Sequence, residues 1–460
     1  MNIRRVLIAN RGEIAVRINR ACKALGLSTV QVHSAADRDS LAVRLADQAI
    51  EIGPAPAAKS YLRIEAIIAA ASASGADAVH PGYGFLAENA DFADAVVAAG
   101  LIFIGPDGDA IRLLGDKVAA RQVAAEAGVP TVPGSSARVL DVDAGLALAQ
   151  HIGYPVMIKA AAGGGGRGIR VVQSAAEFVR QFPQAAAEAT AAFGDGGLYV
   201  EKMIASARHI EVQILGDGQR YVHCFERECS LQRRRQKVWE EAPAFHLNAE
   251  VRAAMCTAAL KLAARVAYKG AGTVEFLYDR ATESFYFIEV NTRIQVEHPV
   301  TEMITGLDLV AEMIRIAGGE RLSIEQDDVV IEGHAIECRI NAENPAKNFM
   351  PAPGTITRLL VPQGGDVRFD SMLFEGYTVP PFYDSLLGKL IVHGVDRARC
   401  LVRLREVLTG LEIEGVPTTI PLHVALAEDV DVINGDIDTR FLEGWLERRF
   451  PIPAASKGLM

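Results

Sequence analysis

Two short apolar runs, Arg4-Arg5-Val6-Leu7-Ile8-Ala9 and Thr29-Val30-Gln31-Val32, flank a segment in which Ile14, Ile18, Ala21, Cys22 and Leu25 recur at helical spacing. A strand followed at once by a helix and a second strand implies a parallel pair with the helix packed on one face. The alternation continues through a helical Ile64–Ala73, a strand Ala76–His80, the turn Pro81-Gly82-Tyr83-Gly84, a helix Ala90–Ala99 and a strand Leu101–Ile104. Residues 1 to about 113 therefore read as one doubly wound α/β domain. The turn after the first strand, Asn10-Arg11-Gly12-Glu13, lacks the G-x-G-x-x-G fingerprint that lets a pyrophosphate reach a helix N-terminus, which argues against a dinucleotide-dependent oxidoreductase.

At 460 residues the chain exceeds what one core can serve and suggests roughly three domains. Val129-Pro130-Thr131-Val132-Pro133-Gly134 reads as a linker into a small unit that ends near residue 204. Residues 205–317 mix strands and helices, and a β-rich segment begins at Gly333 and closes in helices near 397–410 and 439–449. The tail Pro451–Met460 is expected to fray. The N-terminus runs straight into a strand, with no signal-peptide pattern and no apolar stretch of membrane-spanning length, so a cytoplasmic location and no membrane contact are expected. Cys22, Cys224, Cys229, Cys256, Cys338 and Cys400 form no C-x-x-C pair and read as reduced, buried thiols. A net charge of −10 argues against general nucleic-acid binding.

Three clusters carry chemistry. In Lys159-Ala160-Ala161-Ala162-Gly163-Gly164-Gly165-Gly166-Arg167-Gly168 consecutive glycines let backbone N–H groups converge on phosphate oxygens. No G-K-[ST] follows and the next element reads as a strand, so the loop is a hairpin able to fold over a nucleotide rather than a P-loop. From Glu289 to Glu297 every second residue is polar, which on a strand aligns Glu289, Asn291, Arg293, Gln295 and Glu297 on one face. Gly272–Tyr278 and Phe285–Glu289 flank a turn, and a hairpin centred near residue 282 sets Glu275 opposite Glu289. Two facing carboxylates call for a cation, and Mg²⁺ held by carboxylates and nucleotide phosphates suits them. The third cluster is Glu201-Lys202, His209 and Gln232-Arg233-Arg234-Arg235-Gln236-Lys237, where Lys237 could hold an anion; a solvated charged face is the plainer alternative.

Together with Ala9-Asn10-Arg11-Gly12-Glu13-Ile14-Ala15, His80-Pro81-Gly82-Tyr83-Gly84-Phe85-Leu86, Gly115-Asp116-Lys117, His298-Pro299-Val300-Thr301-Glu302, Glu337-Cys338-Arg339-Ile340-Asn341-Ala342-Glu343 and Tyr383-Asp384-Ser385-Leu386, these motifs resemble biotin carboxylase over nearly the whole chain. The resemblance implies an α/β and α+β multidomain protein. Its parts would be a Rossmann-like domain at 1–113, an ATP-grasp domain at 114–317 with a mobile glycine-rich lid at about 131–204, and a β-rich C-terminal domain at 333–446. By the same resemblance Lys117, Lys159, Gly165, Gly166, Glu201, Lys202, Ile204 and His209 would bind ATP, joined by Gln232, Arg235, Glu275 and Glu289. Glu275, Glu289 and Asn291 would hold Mg²⁺ or Mn²⁺. Lys237, Arg293, Gln295, Val296, Glu297 and Arg339 would serve bicarbonate and biotin, with Glu297 as general base and Arg339 stabilising the biotin oxyanion.

Arg235 stands where the family usually has His, and Ala162 where many members have Gly. The chain has no Met-Lys-Met biotinylation motif and is too short for a carrier or carboxyltransferase domain. Biotin is thus expected on a separate carrier protein, with a separate carboxyltransferase, as in acetyl-CoA carboxylase and fatty acid biosynthesis, and a homodimer is expected. The competing readings are another ATP-grasp ligase joining a carboxylate to an amine, and a non-catalytic nucleotide-binding regulatory subunit. Intact Lys237, Glu297 and Arg339 weigh against the second.

Overall fold

The N-terminal apolar runs form a parallel sheet. The computed structural model describes residues 2–450 apart from 136, 161–168, 194 and 205. Strands β1 (Arg5–Ile8), β2 (Ser28–Ser34), β3 (Gln48–Gly53), β4 (Ala78–His80) and β5 (Ile102–Phe103) lie in the order β3-β2-β1-β4-β5. Every pairing is parallel. Val6, Leu7 and Ile8 are all fully buried because both faces are covered, which is why this strand reads as an unbroken apolar run. Helix α1 (Gly12–Ala24) covers one face with Ile14, Ile18 and Cys22. The expected helices form at Ile64–Ser74 and Ala90–Ala98, the second capped by Asn89, whose side chain accepts from the Phe92 N–H at 2.8 Å. The edge strand β3 escaped the sequence reading, because Gln48 and Ala49 are exposed and leave too few apolar residues to signal it.

Helix α2 (Lys117–Glu126) leads into a small antiparallel sheet of β6 (Val156–Ala160), β7 (Ile169–Val172) and β8 (Leu198–Lys202) in the order β7-β6-β8. Phe178 and Phe182, on the helix Ala175–Phe193, fill its core. The linker is stapled on both sides: Phe287 N–H donates to Pro130 O at 2.7 Å and Lys202 N–H to Pro133 O at 2.8 Å. The glycine loop between β6 and β7, with Gly165 and Gly166, lies outside the described residues, as does the tail from residue 451.

The largest sheet joins segments that the sequence reading kept apart. Strands β9 (Ala207–Asp217), β10 (Tyr221–Arg233), β11 (Gln236–Ala242), β12 (Lys269–Asp279), β13 (Ser284–Asn291), β14 (His334–Asn341), β15 (Val367–Ser371) and β16 (Leu386–Gly394) run in the order β13-β12-β9-β10-β11-β14-β16-β15. The β11–β14 pairing carries the sheet across from residues 205–317 into the C-terminal segment, and Leu231 and Trp239 share a core with Ile336, Leu401 and Trp445. The β12–β13 hairpin pairs Glu275 with Glu289, with a bulge between Glu275 and Phe276. One expectation is corrected: the strand does not continue to Glu297 but ends at Asn291. Thr292, Ile294, Gln295 and Glu297 are all buried, so the alternating pattern belongs to a loop packed on both sides, which enters helix α3 (His298–Thr305) with Pro299 in its first turn. All six cysteines are free and buried, and no helix among the described residues is long and apolar enough to cross a membrane.

Candidate active site

The site is built on the face of the large sheet where β9, β11 and β12 converge. On β9, Ile210, Val212 and Ile214 alternate with His209, Glu211 and Gln213, and Glu211 and Gln213 are fully buried. Glu275 is the register partner of Glu211 on the neighbouring strand. Two carboxylates side by side without solvent repel strongly, and the sheet answers with Lys237 from β11. Its ammonium donates to Glu211 at 2.6 Å, Glu275 at 2.9 Å and Glu297 at 2.6 Å. Three anions around one cation push the Lys237 pKa well above its usual value despite the opposing effect of burial.

Glu297 is held from its other side by Arg339 of β14, which donates to it at 2.9 Å and to Glu240 at 2.6 Å. Burial alone would raise the Glu297 pKa, but Lys237, Arg339 and Arg227 outweigh it and hold the carboxyl well below its usual range. Glu297 is therefore ionised and, between two cations, a weak base at rest. Behind this layer Arg227 is fully buried and fully used: it donates to Glu211 at 2.6 Å, Gln213 at 2.8 Å, Thr301 at 2.9 Å and Thr273 at 3.1 Å.

Most of the expected residues meet here. Asn291 donates to Glu275 at 2.8 Å, and His209 Nε2 stands 3.0 Å from Glu275 while its Nδ1 lies 3.0 Å from Gln232 Nε2. Arg293 is fixed by Gln295 at 2.9 Å and by Glu88 of the N-terminal region at 2.8 Å, and Val296 anchors the loop through its carbonyl, which accepts from Lys389 at 2.8 Å. Lys117 opens α2 and lies 3.2 Å from Glu289. One turn further along α2, Arg121 pairs with Glu201 on β8, which also binds Lys159 on β6. This helix thus spans the gap between the β12–β13 carboxylates and the small sheet. The Lys202 ammonium is turned away onto the carbonyls of Gly153 and Tyr154, at 2.9 and 3.2 Å, and its backbone N–H is committed to Pro133 O. Ile204 is half-buried beside it.

Arg235 stands apart. It is exposed at the tip of the two-residue turn joining β10 to β11 and has no partner among the described residues. The sequence reading missed Glu211, Arg227, Glu240, Glu88 and Arg121. The first was within reach, because Ile210-Glu211-Val212-Gln213-Ile214 has the same period of two as the segment that was recognised. The others act only through partners far away in the chain.

Glu275, Glu289 and Asn291 bring oxygen donors together across the hairpin, a donor set that suits a hard divalent cation such as Mg²⁺. With this geometry in place, similarity to known proteins becomes decisive. Residues 2–111 match the family described as biotin carboxylase, N-terminal domain; residues 116–325 match the carbamoyl-phosphate synthase L chain, ATP binding domain; and residues 337–444 match the biotin carboxylase C-terminal domain. The chain is 54% identical to biotin carboxylase of Pseudomonas aeruginosa over 96% of its own length and 98% of the relative's. The chain belongs to the biotin carboxylase family. It is also 55% identical to biotin carboxylase of a Nostoc species, over 96% of this chain and 99% of that one. Among solved structures, the biotin carboxylase domain dimer of Hydrogenobacter thermophilus 2-oxoglutarate carboxylase, in complex with MgADP, ADP and bicarbonate, superimposes with a TM-score of 0.88 at 48% identity, covering 97% of this chain and 98% of that one.

Proposed function

We infer that the chain carboxylates biotin at the expense of ATP and bicarbonate. The observation that carries this reading is the Glu297 carboxylate held between Lys237 and Arg339 beside the Glu275 and Glu289 pair. A family member of the same fold binds MgADP and bicarbonate. In this reading Lys237, Arg293, Gln295 and the Val296 backbone receive bicarbonate, and Glu275, Glu289 and Asn291 hold Mg²⁺ or Mn²⁺, which neutralises phosphate charge when bound. Lys117, Lys159, Gly165, Gly166, Glu201, Lys202, Ile204, His209, Gln232 and Arg235 surround the nucleotide.

The charge layout gives the base its trigger. An arriving bicarbonate is itself an anion and draws on Lys237 and Arg339. Each contact it takes weakens their hold on Glu297, whose proton affinity rises as the substrate that must be deprotonated arrives. Bicarbonate oxygen then attacks the γ-phosphorus and ADP leaves, giving carboxyphosphate. Its breakdown releases CO₂ and phosphate, the phosphate takes the ureido N1 proton, and Arg339 stabilises the charge that develops on the biotin oxygen.

We further propose domains at 1–113, 114–317 with a lid at about 131–204, and 333–446. The reading also includes a homodimer in the cytoplasm, with biotin delivered on a separate carrier protein and passed to a separate carboxyltransferase. The test is ATP turnover with and without Mg²⁺, bicarbonate and free biotin. Turnover that requires Mg²⁺ and bicarbonate and rises with biotin is expected; turnover indifferent to bicarbonate and biotin overturns the reading.

A further inference from the structure

Each buried carboxylate around Lys237 has a cation at hydrogen-bonding distance: Glu211 has Arg227 and Lys237, Glu275 has Lys237, Glu297 has Lys237 and Arg339, and Glu240 has Arg339. Glu337 does not. It is fully buried, and neither of its carboxyl oxygens has a hydrogen-bond partner. Glu240 is fully buried too, and its second oxygen is likewise without a partner. These residues are register partners on β11 and β14, so their side chains leave the sheet on the same face. Arg339 lies two residues beyond Glu337 on β14 and shares that face.

An ionised Glu337 in this position would be a buried charge with no hydrogen bond to hold it, and Lys389 and Arg339 do not outweigh its burial, a state that proteins avoid by taking up a proton. A protonated Glu337 has one donor to place, and its register partner Glu240 has an oxygen without a partner. We propose that Glu240 and Glu337 share one proton and act as a single positioning unit for Arg339, holding its guanidinium against Glu297. Burial raises the pKa of both acids, Glu240 to about 7 and Glu337 well above the usual carboxyl value. The groups acting on the pair are Lys237 and Cys229 from β11 and β10, Glu297 just before α3, Arg339 on the same face of β14 and Lys389 on β16, while Cys338 packs in the apolar core on the opposite face of β14. Lys389 donates to Val296 O at 2.8 Å and lies 3.2 Å from Glu13, with no hydrogen bond to Glu337, and its attraction is outweighed there by burial.

Loss of the shared proton would place a second negative charge beside Arg339 and draw it from Glu297. The role rests on the biotin carboxylation reading, and the experiment separates the two. Wild-type turnover with and without bicarbonate and biotin tests that reading. Purified Glu240→Gln, Glu337→Gln and Glu337→Leu, each shown folded by thermal unfolding, are then compared with wild type for kcat and KM across pH. Glu240→Gln should lower kcat about 100-fold with little change in KM for ATP, and Glu337→Leu about tenfold. Glu337→Gln keeps an N–H donor toward Glu240 but cannot ionise, so the alkaline limb of the wild-type profile should be absent from it. Independently of turnover, infrared difference spectra should show a protonated-carboxyl C=O stretch that Glu337→Gln removes. An unchanged infrared spectrum, a Glu337→Gln profile identical to wild type, or a Glu240→Gln kcat within twofold of wild type overturns the proposal.

Discussion

The parallel N-terminal sheet and the large antiparallel sheet are equally buried yet filled in opposite ways. In the first, Val6, Leu7, Ile8, Val30 and Val32 pack a largely apolar interior whose buried polar groups are bonded in small separate sets, as Asn19 to Thr29 and Arg11 to Asp37, rather than in one shared charge network. In the second, Glu211, Arg227, Glu240, Glu297, Glu337 and Lys389 are fully buried. An apolar interior is robust to exchange so long as volume is kept, whereas a buried charge network stands or falls with each member. The molecule thus concentrates its intolerance where it does its chemistry.

The sharpest way to expose that difference is at the base. Glu297→Gln keeps the shape but removes the charge between Lys237 and Arg339, and its amide can accept from only one of the two. Bicarbonate-dependent ATP cleavage should fall by ~10²–10⁴-fold while nucleotide binding survives. Steady-state turnover and nucleotide titration check both halves, and a variant within a few-fold of wild type would put the base elsewhere.

A second contrast pits the interiors against each other through stability. Arg227→Met strips four hydrogen-bonded partners and leaves Glu211 to Lys237 alone, for an expected loss of about 3–5 kcal/mol. Ile8→Ala in the parallel sheet should lose about 2–5 kcal/mol through the cavity it opens. The discriminating measurement is the rescue, read by denaturant unfolding. Adding Glu211→Leu to Arg227→Met should recover much of the stability, since the pair leaves together, but not the activity. If stability is not recovered, the network is not the self-contained unit described here.

These residues also mark how far the sequence could be read. The apolar runs of β1 and β2 and the spacing of Ile14, Ile18 and Cys22 display their burial directly, because an apolar side chain is buried whatever its neighbour. Glu297 was reached through the alternation of residues 289–297 and Glu275 through the hairpin register, Lys237 through a charge run, and Arg339 only through the family resemblance. Glu240 and Glu337 were out of reach, since nothing in Trp239-Glu240-Glu241 separates a carboxylate that faces Arg339 from a solvated one until β11 and β14 are paired. The merging of two segments into one sheet was hidden for the same reason: 91 residues separate Ala242 from His334.

The buried histidines and the buried acids set opposite responses to acid. Burial depresses the pKa of His80 to about 3 and of His223 and His423 to about 4, and that of His298 well below its usual value. Below about 6.5 the unfolded chain binds these protons and the folded chain does not, so stability falls with pH. Glu13, Glu228, Glu240 and Glu337 are raised by burial, Glu228 and Glu240 to about 7, so the folded chain holds protons that the unfolded chain releases above about 4.5. Their contribution rises as pH falls toward about 4.5 and is constant below it. Thermal unfolding should therefore be nearly level from about pH 6.5 to 4.5. It should drop steeply below that, where the histidines act alone and the depressed carboxyls of Glu241, Glu275, Glu297 and Asp370, the last at about 2, add to the loss. A steady decline from pH 6.5 would mean that the buried acids are ionised in the folded protein.

The smallest expected effect lies at the edge of the charge network, in the turn that joins β10 to β11. Arg233 and Gln236 pair across it, leaving Arg234 and Arg235 as its two residues, at φ of 49° and 67°. Such a turn prefers Asn-Gly, because left-handed backbone costs a side-chain-bearing residue about 1 kcal/mol. Neither arginine has a partner among the described residues to offset that strain. An exposed, strained arginine just before the strand that carries Lys237 fits the nucleotide role proposed for it, and a nucleotide phosphate is the ligand its charge suits. Arg235→Gly should therefore raise stability by up to about 1 kcal/mol while raising the Michaelis constant for ATP severalfold. Arg235→His, which restores the side chain usual in the family but keeps the strained backbone, should raise that constant less and leave stability unchanged. Neither should alter the constant for bicarbonate, because Lys237 lies two residues along β11, inside the sheet. Kinetics in which ATP and bicarbonate are varied separately, set beside the unfolding curves, decide the matter. A stabilised Arg235→Gly with an unchanged constant for ATP would show that the strain serves something other than the nucleotide.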